Sequence, residues 1–217
     1  MKKNNQLFYP VLQRRDEYSL KKNGEFYQYQ HYRQEIREDC QKRCVYCDIQ
    51  ESECGGEELM VLEHFRPQKH FANLINNPNN LLYACSGCNR LKSDHWPNLN
   101  GHPRITFSSI GEGFLDPFSF DRNEYFHVLE DGVLEDIKAP AKYMIRLLAL
   151  NRETRKIIRE IRVEKEKLLL ILDKTIEDFQ IFLTENSFTD GQTKFLNNHL
   201  QILFSLQEKF RKCLLLE

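Results

Sequence analysis

The stretch that decides the fold is Leu62-Glu63-His64-Phe65-Arg66-Pro67 with its return through Asn80-Leu81-Leu82-Tyr83-Ala84-Cys85-Ser86-Gly87-Cys88-Asn89; Cys44-Val45-Tyr46-Cys47 precedes both. Two Cys-x-x-Cys pairs, each on its own tight turn, form the ligand set of a structural tetrahedral zinc site (Cys44, Cys47, Cys85, Cys88), which would pin together the ends of the segment between them. The apolar run Leu59-Met60-Val61-Leu62 predicts a strand within 57–65 that ends at the Glu63-His64 dyad, because Pro67 removes a ladder donor. Residues 81–84 predict the returning strand, and 89–92 the start of a helix. Between them, Asn76-Asn77-Pro78-Asn79-Asn80 reads as a loop by composition.

The groups inside the pinned segment suit hydrolysis. Breaking a phosphodiester needs a base for water, a cation for the charge growing on phosphate, and rigid placement of both. His64 suits the first task because imidazole titrates near neutral pH. A carboxylate and an amide oxygen, Glu63 and Asn89, suit a hard cation such as Mg²⁺ or Mn²⁺. Neighbouring strand residues face opposite ways, so Glu63 and His64 can share a site only if the strand ends or twists there. Asn80 can hydrogen-bond the loop backbone or fix the histidine tautomer.

Outside the motif, aromatic and apolar residues at Phe26, Tyr29, Tyr32, Ile36 and Cys40 predict one amphipathic helix over 24–41. Asp131-Gly132 between 126–129 and 133–134 predicts a hairpin with a two-residue turn. Residues 101–113 read as irregular. A helical region begins near Ala139, with Asn151 as an N-cap and a stripe of Ile157, Ile158, Ile161, Leu168, Leu172 and Ile176. After a break at 186–191, a last helix carries Leu196, Leu200, Leu203, Leu206, Phe210 and Leu214. An antiparallel helical hairpin with both stripes in a core is the expected result. The domain reading is an N-terminal extension and helix (1–43), a core with the knuckles (44–136) and a helical C-terminal region (137–217).

Seven cysteines is an odd count, and a start without an apolar stretch gives no sign of secretion, so metal is favoured over disulfides and a cytoplasmic location is expected. Cys40 and Cys54 lie near the first pair and are alternative ligands; the paired spacing favours the other four. No apolar run approaches membrane-spanning length. The net charge of −1 excludes a polycation, but its distribution is uneven. Residues 61–104 carry Arg66, Lys69, Arg90, Lys92 and Arg104 against Glu63 and Asp94, while 111–136 is strongly acidic and 142–167 basic. The two basic stretches are candidates for facing phosphates, or are simply solvated surface.

Read in order, the Glu63-to-Pro67 string, Asn80, Cys85-x-x-Cys88-Asn89 and Lys92 closely resemble the HNH endonuclease signature in its zinc-knuckle form. The resemblance implies an α+β fold built on a ββα-metal core, in which two strands and a helix clasp one divalent cation and the zinc is a separate clamp. It implies His64 as general base, Asn80 as the central asparagine that orients it, and Asn89 with Glu63 as ligands of a catalytic Mg²⁺ or Mn²⁺. Aspartate is more usual at position 63. Lys92 would contact phosphate, with Arg66 and Arg90 completing a DNA-facing set. Leu115-Asp116-Pro117, the Asp131-Gly132 turn and Leu148-Ala149-Leu150-Asn151-Arg152 extend the likeness to the HNH nuclease subunit of Septu-type anti-phage systems, some of whose members belong to retron modules. That family implies DNA cleavage beside an ATPase partner. The alternative is a zinc-knuckle nucleic-acid-binding or scaffold subunit that does not cut.

Overall fold

In a computed structural model, residues 7–97 and 105–215 are described, with side chains to 212. Residues 101–104, including Arg104, and the side chains of Cys213 and Leu214 lie outside the described residues. The fold is mixed α/β with two small sheets and a cluster of four cysteines. The chain divides into two compact units, one spanning Phe8–Ile158 and the other containing Arg159–Glu217.

In the first unit, a 3-10 turn (Tyr29–Tyr32) leads into α1 (Arg33–Asp39). The single helix expected over 24–41 is therefore shorter at its start. Gly24 sits at φ +82°, the left-handed region open to glycine, and Leu20 bridges Phe26 as extended chain, so the backbone turns before it coils. The periodic residues still point inward, for Tyr32, Ile36 and Cys40 are all fully buried. A one-turn helix α2 (Glu51–Cys54) closes with Gly55 in the left-handed conformation.

Strand β1 (Met60–His64) then pairs antiparallel with β2 (Leu81–Cys85), Met60 opposite Cys85 and His64 opposite Leu81. β1 stops at the dyad, and Phe65 N–H donates to Asn80 O at 2.9 Å as the last rung. β2 is buried at every position, which explains its continuous apolar sequence. Helix α3 (Ser86–Lys92) begins three residues earlier than the asparagine at 89 suggests, because Cys85 caps it: the Cys88 N–H donates to Cys85 Sγ at 3.5 Å. The first knuckle docks on β2 through Val45 N–H to Tyr83 O at 3.0 Å.

β3 (Phe126–Val128) and β4 (Leu134–Asp136) form the expected hairpin, but its turn is one residue longer than Asp131-Gly132 predicts. Leu129 N–H still donates to Val133 O, so Glu130, Asp131 and Gly132 make the loop, with Gly132 at φ +74° in the position that needs it. Helix α4 (Ala141–Leu147) precedes α5 (Glu153–Glu185), of which the residues through Ile158 belong to this unit. Asn151, expected as an N-cap, lies two residues before the start of α5. Its amide clasps β4, accepting from Leu134 N–H and donating to Leu134 O, both at 2.8 Å.

In the second unit, α5 and α6 (Asp190–Leu215) run antiparallel, as Gln207 and Arg211 both reach the Asp173 carboxylate, at 2.7 and 3.1 Å. The expectation of two buried stripes is not met. Of the α5 stripe only Ile176 is buried, while Ile157, Ile161 and Leu168 are exposed, as is Leu206 on α6. A lone pair of helices has too little facing surface to cover two apolar stripes.

Candidate functional site

The four knuckle cysteines are the tightest ligand cluster among the described residues: all four sulfurs lie within 4.8 Å of one another, and each residue is buried. Cys47 and Cys85 sulfurs stand 3.8 Å apart. A tetrahedron of ~2.3 Å Zn–S bonds places sulfurs at about that separation. Four buried cysteines so arranged could bind zinc. Local sequence creates both halves. Cys44 and Cys47 sit on a turn closed by Asp48 N–H to Cys44 O at 2.9 Å, with Asp48 at φ +61°; Cys85 and Cys88 sit where β2 becomes α3. Hydrogen bonds from Cys44, Cys47 and Cys88 hold the Cys85 thiol far below its usual pKa, whereas burial pushes Cys44 up. Cys40 and Cys54 are outside the cluster, and burial raises the Cys40 thiol to about 12.

His64 ends β1 with both ring nitrogens engaged. Nε2 lies 2.9 Å from Ile75 O, which can only accept, so Nε2 carries the proton and donates. Nδ1 is then the basic nitrogen, and it accepts from the Gln68 amide at 2.9 Å. Tyr29 meets the ring edge-on at 4.8 Å. Burial lowers the His64 pKa; the Ile75 carbonyl opposes that shift and the Lys92 charge adds to it. The ring is therefore neutral near pH 7, with one lone pair held by an exposed glutamine.

Asn80 has the loop-holding role that its place in the sequence suggested. Its Oδ1 accepts from Arg66 N–H at 2.9 Å, and its Nδ2 donates to Arg66 O at 3.0 Å and Leu74 O at 3.4 Å. These bonds fix the two chain segments that leave His64 and carry Ile75. Asn80 thus acts on the histidine through the backbone and does not touch its ring.

Glu63 points elsewhere. Its Oε1 pairs with Lys92 Nζ at 2.6 Å and accepts from Tyr46 O–H at 3.4 Å. Both charged side chains are essentially buried, and the same Nζ donates to His64 O at 3.2 Å while lying 5.3 Å from the Phe114 ring. Burial pushes Glu63 up and Lys92 down, each against the attraction of the other. Lys92, expected at a phosphate, therefore faces Glu63 in this arrangement, and its ammonium reaches a phosphate only if that pair opens. Asn89 is half-buried on α3 with no side-chain partner among the described residues. Arg66 lies over the Trp96 ring at 5.6 Å, and Arg90 is exposed. His95 is exposed beside Asp94, whose carboxylate pairs with Lys69.

Three residues that support the site carried no local signal. Arg122 is the lone base of an acidic stretch, yet it is buried, donating to Val45 O at 3.0 Å and Pro10 O at 2.6 Å and so bracing the first knuckle. Gln68 lies just past Pro67, outside any motif. Arg152 belongs to a motif read only as a helix start.

A 53-residue stretch of the chain is 40% identical to the Septu protein PtuB of Bacillus thuringiensis; the match covers 24% of this chain and 20% of that protein, so the chain spans about a fifth of its length. No family model matches the chain, and no solved structure matches it significantly. Among the described residues, no helix is long and apolar enough to cross a membrane.

Proposed function

We propose that this chain is an HNH-type endonuclease whose β1–β2–α3 unit is a ββα-metal core, hydrolysing DNA phosphodiester bonds. The observation that carries the reading is His64 at the end of β1: Ile75 O holds the Nε2 proton, which leaves Nδ1 as a neutral, correctly tautomeric base next to an exposed side chain. In the reaction, water takes the place of the Gln68 amide at Nδ1. His64 accepts its proton as the oxygen attacks phosphorus in line with the departing deoxyribose oxygen, which leaves with the P–O bond pair and takes a proton from solvent. Asn80 keeps the imidazole in register through Arg66 and Leu74. Once the Glu63–Lys92 pair opens, Glu63 and the unpartnered amide of Asn89 would hold a Mg²⁺ or Mn²⁺ ion, whose contribution would be to neutralise charge on the phosphate. One carboxylate and one amide fit a hard cation that keeps most of its ligands as water and phosphate oxygen. In this reading Arg66 and Arg90 would contact the DNA backbone, and the four cysteines would hold a structural zinc.

The likeness to a Septu protein supports a role in anti-phage defence. In this reading the chain is the effector nuclease and acts with an ATPase partner, as the resemblance of its motifs implies. Supercoiled plasmid incubated with Mg²⁺ or Mn²⁺, with and without that partner, tests the activity. The wild type is expected to nick or linearise it, and His64→Ala to lose cutting with its zinc content unchanged. Undiminished cutting by His64→Ala would sink the assignment.

One observation favours a second reading, a nucleic-acid-binding or scaffold subunit without cleavage: Lys92 and Gln68 already engage the Glu63 and His64 groups that chemistry would use. It predicts retained DNA or partner binding and no cutting under either metal in the assembled complex.

A further inference from the structure

The Leu148-to-Arg152 motif at the root of α5 has no part in the chemistry just described, yet it ends on the cysteine cluster. Arg152 lays one guanidinium nitrogen, Nη2, on three of the four sulfurs, at 3.4 Å from Cys88 and 3.8 Å from both Cys47 and Cys85. Its Nη1 donates to Leu148 O at 3.0 Å and Ala149 O at 3.1 Å, which fixes the arm against its own turn. One turn later Arg155 Nη2 reaches Cys85 at 3.7 Å.

Charge explains why two arginines converge there. Zinc with four thiolates carries a net −2, and this site is buried, where uncompensated charge is costly. Two guanidinium groups supply +2. A lysine could not replace Arg152, because three sulfurs and two carbonyls are met by two nitrogens of one planar fork. We propose that Arg152 and Arg155 are positioning residues of the metal centre: they neutralise the thiolate cluster and tie residues 148–158 to it, so that metal loading orders the root of α5. The proposal rests on zinc as the occupant of the cluster and does not depend on cleavage activity.

The test uses the full chain. Wild type, Arg152→Ala, Arg152→Lys and Arg155→Ala are purified, their zinc is counted by elemental analysis, and its release to a competing chelator is timed. Loss of groups that orient metal ligands typically costs about 10–100-fold in affinity. Arg152→Ala is expected to lose zinc about 10–100-fold faster than wild type, with Arg155→Ala and Arg152→Lys between. Hydrogen exchange of the zinc-loaded Arg152→Ala protein should rise at 148–156 while β1 and β2 stay protected. If Arg152→Ala does not fold, Arg155→Ala and Arg152→Lys decide by the same release assay. Release within twofold of wild type in the folded variants, with unchanged exchange at 148–156, overturns the proposal while leaving zinc in place. A wild type that takes up no zinc overturns the zinc reading and the proposal with it.

Discussion

Replacing Lys92 with methionine removes the ammonium from a pair whose two side chains are 0% and 5% exposed, and leaves Glu63 with the longer Tyr46 contact at 3.4 Å and the His64 backbone but no compensating charge. Stripping one partner from a buried pair costs about 3–5 kcal/mol, because the remaining charge is desolvated and uncompensated. At roughly 2–4 °C per kcal/mol for a chain of this size, the melting temperature should fall by about 6–20 °C. The loss should depend on pH in a definite sense. Burial already raises the Glu63 pKa, and Lys92 is the main influence that lowers it, so in Lys92→Met it is raised further. A carboxyl whose folded pKa lies above its unfolded value holds its proton better when folded. Its contribution is present at low pH and is lost as pH rises through the folded pKa. The variant should therefore be closer to wild type at pH 5 than at pH 8. The double variant Glu63→Leu/Lys92→Met should recover most of the loss, since apolar replacement of a buried pair is often neutral or better. Thermal unfolding of the four proteins of this cycle at both pH values is the assay. A Lys92→Met protein that melts within about 2 °C of wild type at pH 8 refutes the claim that the pair is buried and intact.

Cys44→Ser and Cys85→Ser should each lose bound zinc and the cooperative melt of the Phe8–Ile158 unit, because structural metal contributes directly to folding; an unchanged melt in either counts against the site. Asn80→Ala removes three hydrogen bonds and strands Arg66 N–H and O, so urea unfolding should show a loss of about 2–3 kcal/mol; a loss under about 0.5 rejects the loop-holding role. Burial lowers the His64 pKa, so if His64 is the base, the acid limb of the cleavage profile should have its midpoint below 6.5, and a midpoint above it removes His64 from that role.

What the sequence made legible was whatever is local. Cysteine spacing, the apolar run before Glu63 and the asparagine-rich loop each act over a few residues, and β1, β2, α3 and the cysteine cluster follow from them. Aromatics at helical spacing predict an earlier start than α1 has, because Gly24 turns the chain first. The inward turn of Lys92 is illegible for a different reason: its partner Glu63 lies across the β1–α3 contact, and nothing in a Cys-Asn-x-x-Lys string says that the ammonium turns inward. The contacts of Arg122 to Val45 and of Arg152 to Cys47 bridge 77 and 105 residues, beyond any local pattern. The α5 stripe was legible as a stripe; whether a core or solvent faces it depends on what is available to pack there.

These distant cations share a physical reason. A two-stranded sheet with a seven-residue helix buries too little apolar surface to hold itself rigid, so the unit needs staples. The cysteine cluster is one. Lys92 joins the end of α3 to the end of β1, Arg122 joins the first knuckle to the N-terminal arm, and Arg152 joins the knuckles to α5. Each cation is aimed at carbonyls, a carboxylate or sulfurs that the short elements leave unmatched, so fold and site are stabilised by the same contacts. It follows that the Glu-His-Phe-Arg-Pro string alone does not fix the state of the His64 ring. Its tautomer comes from Ile75, its ring orientation from Tyr29 and its loop from Asn80, and a transplanted motif without those three would present a histidine free to rotate and to protonate.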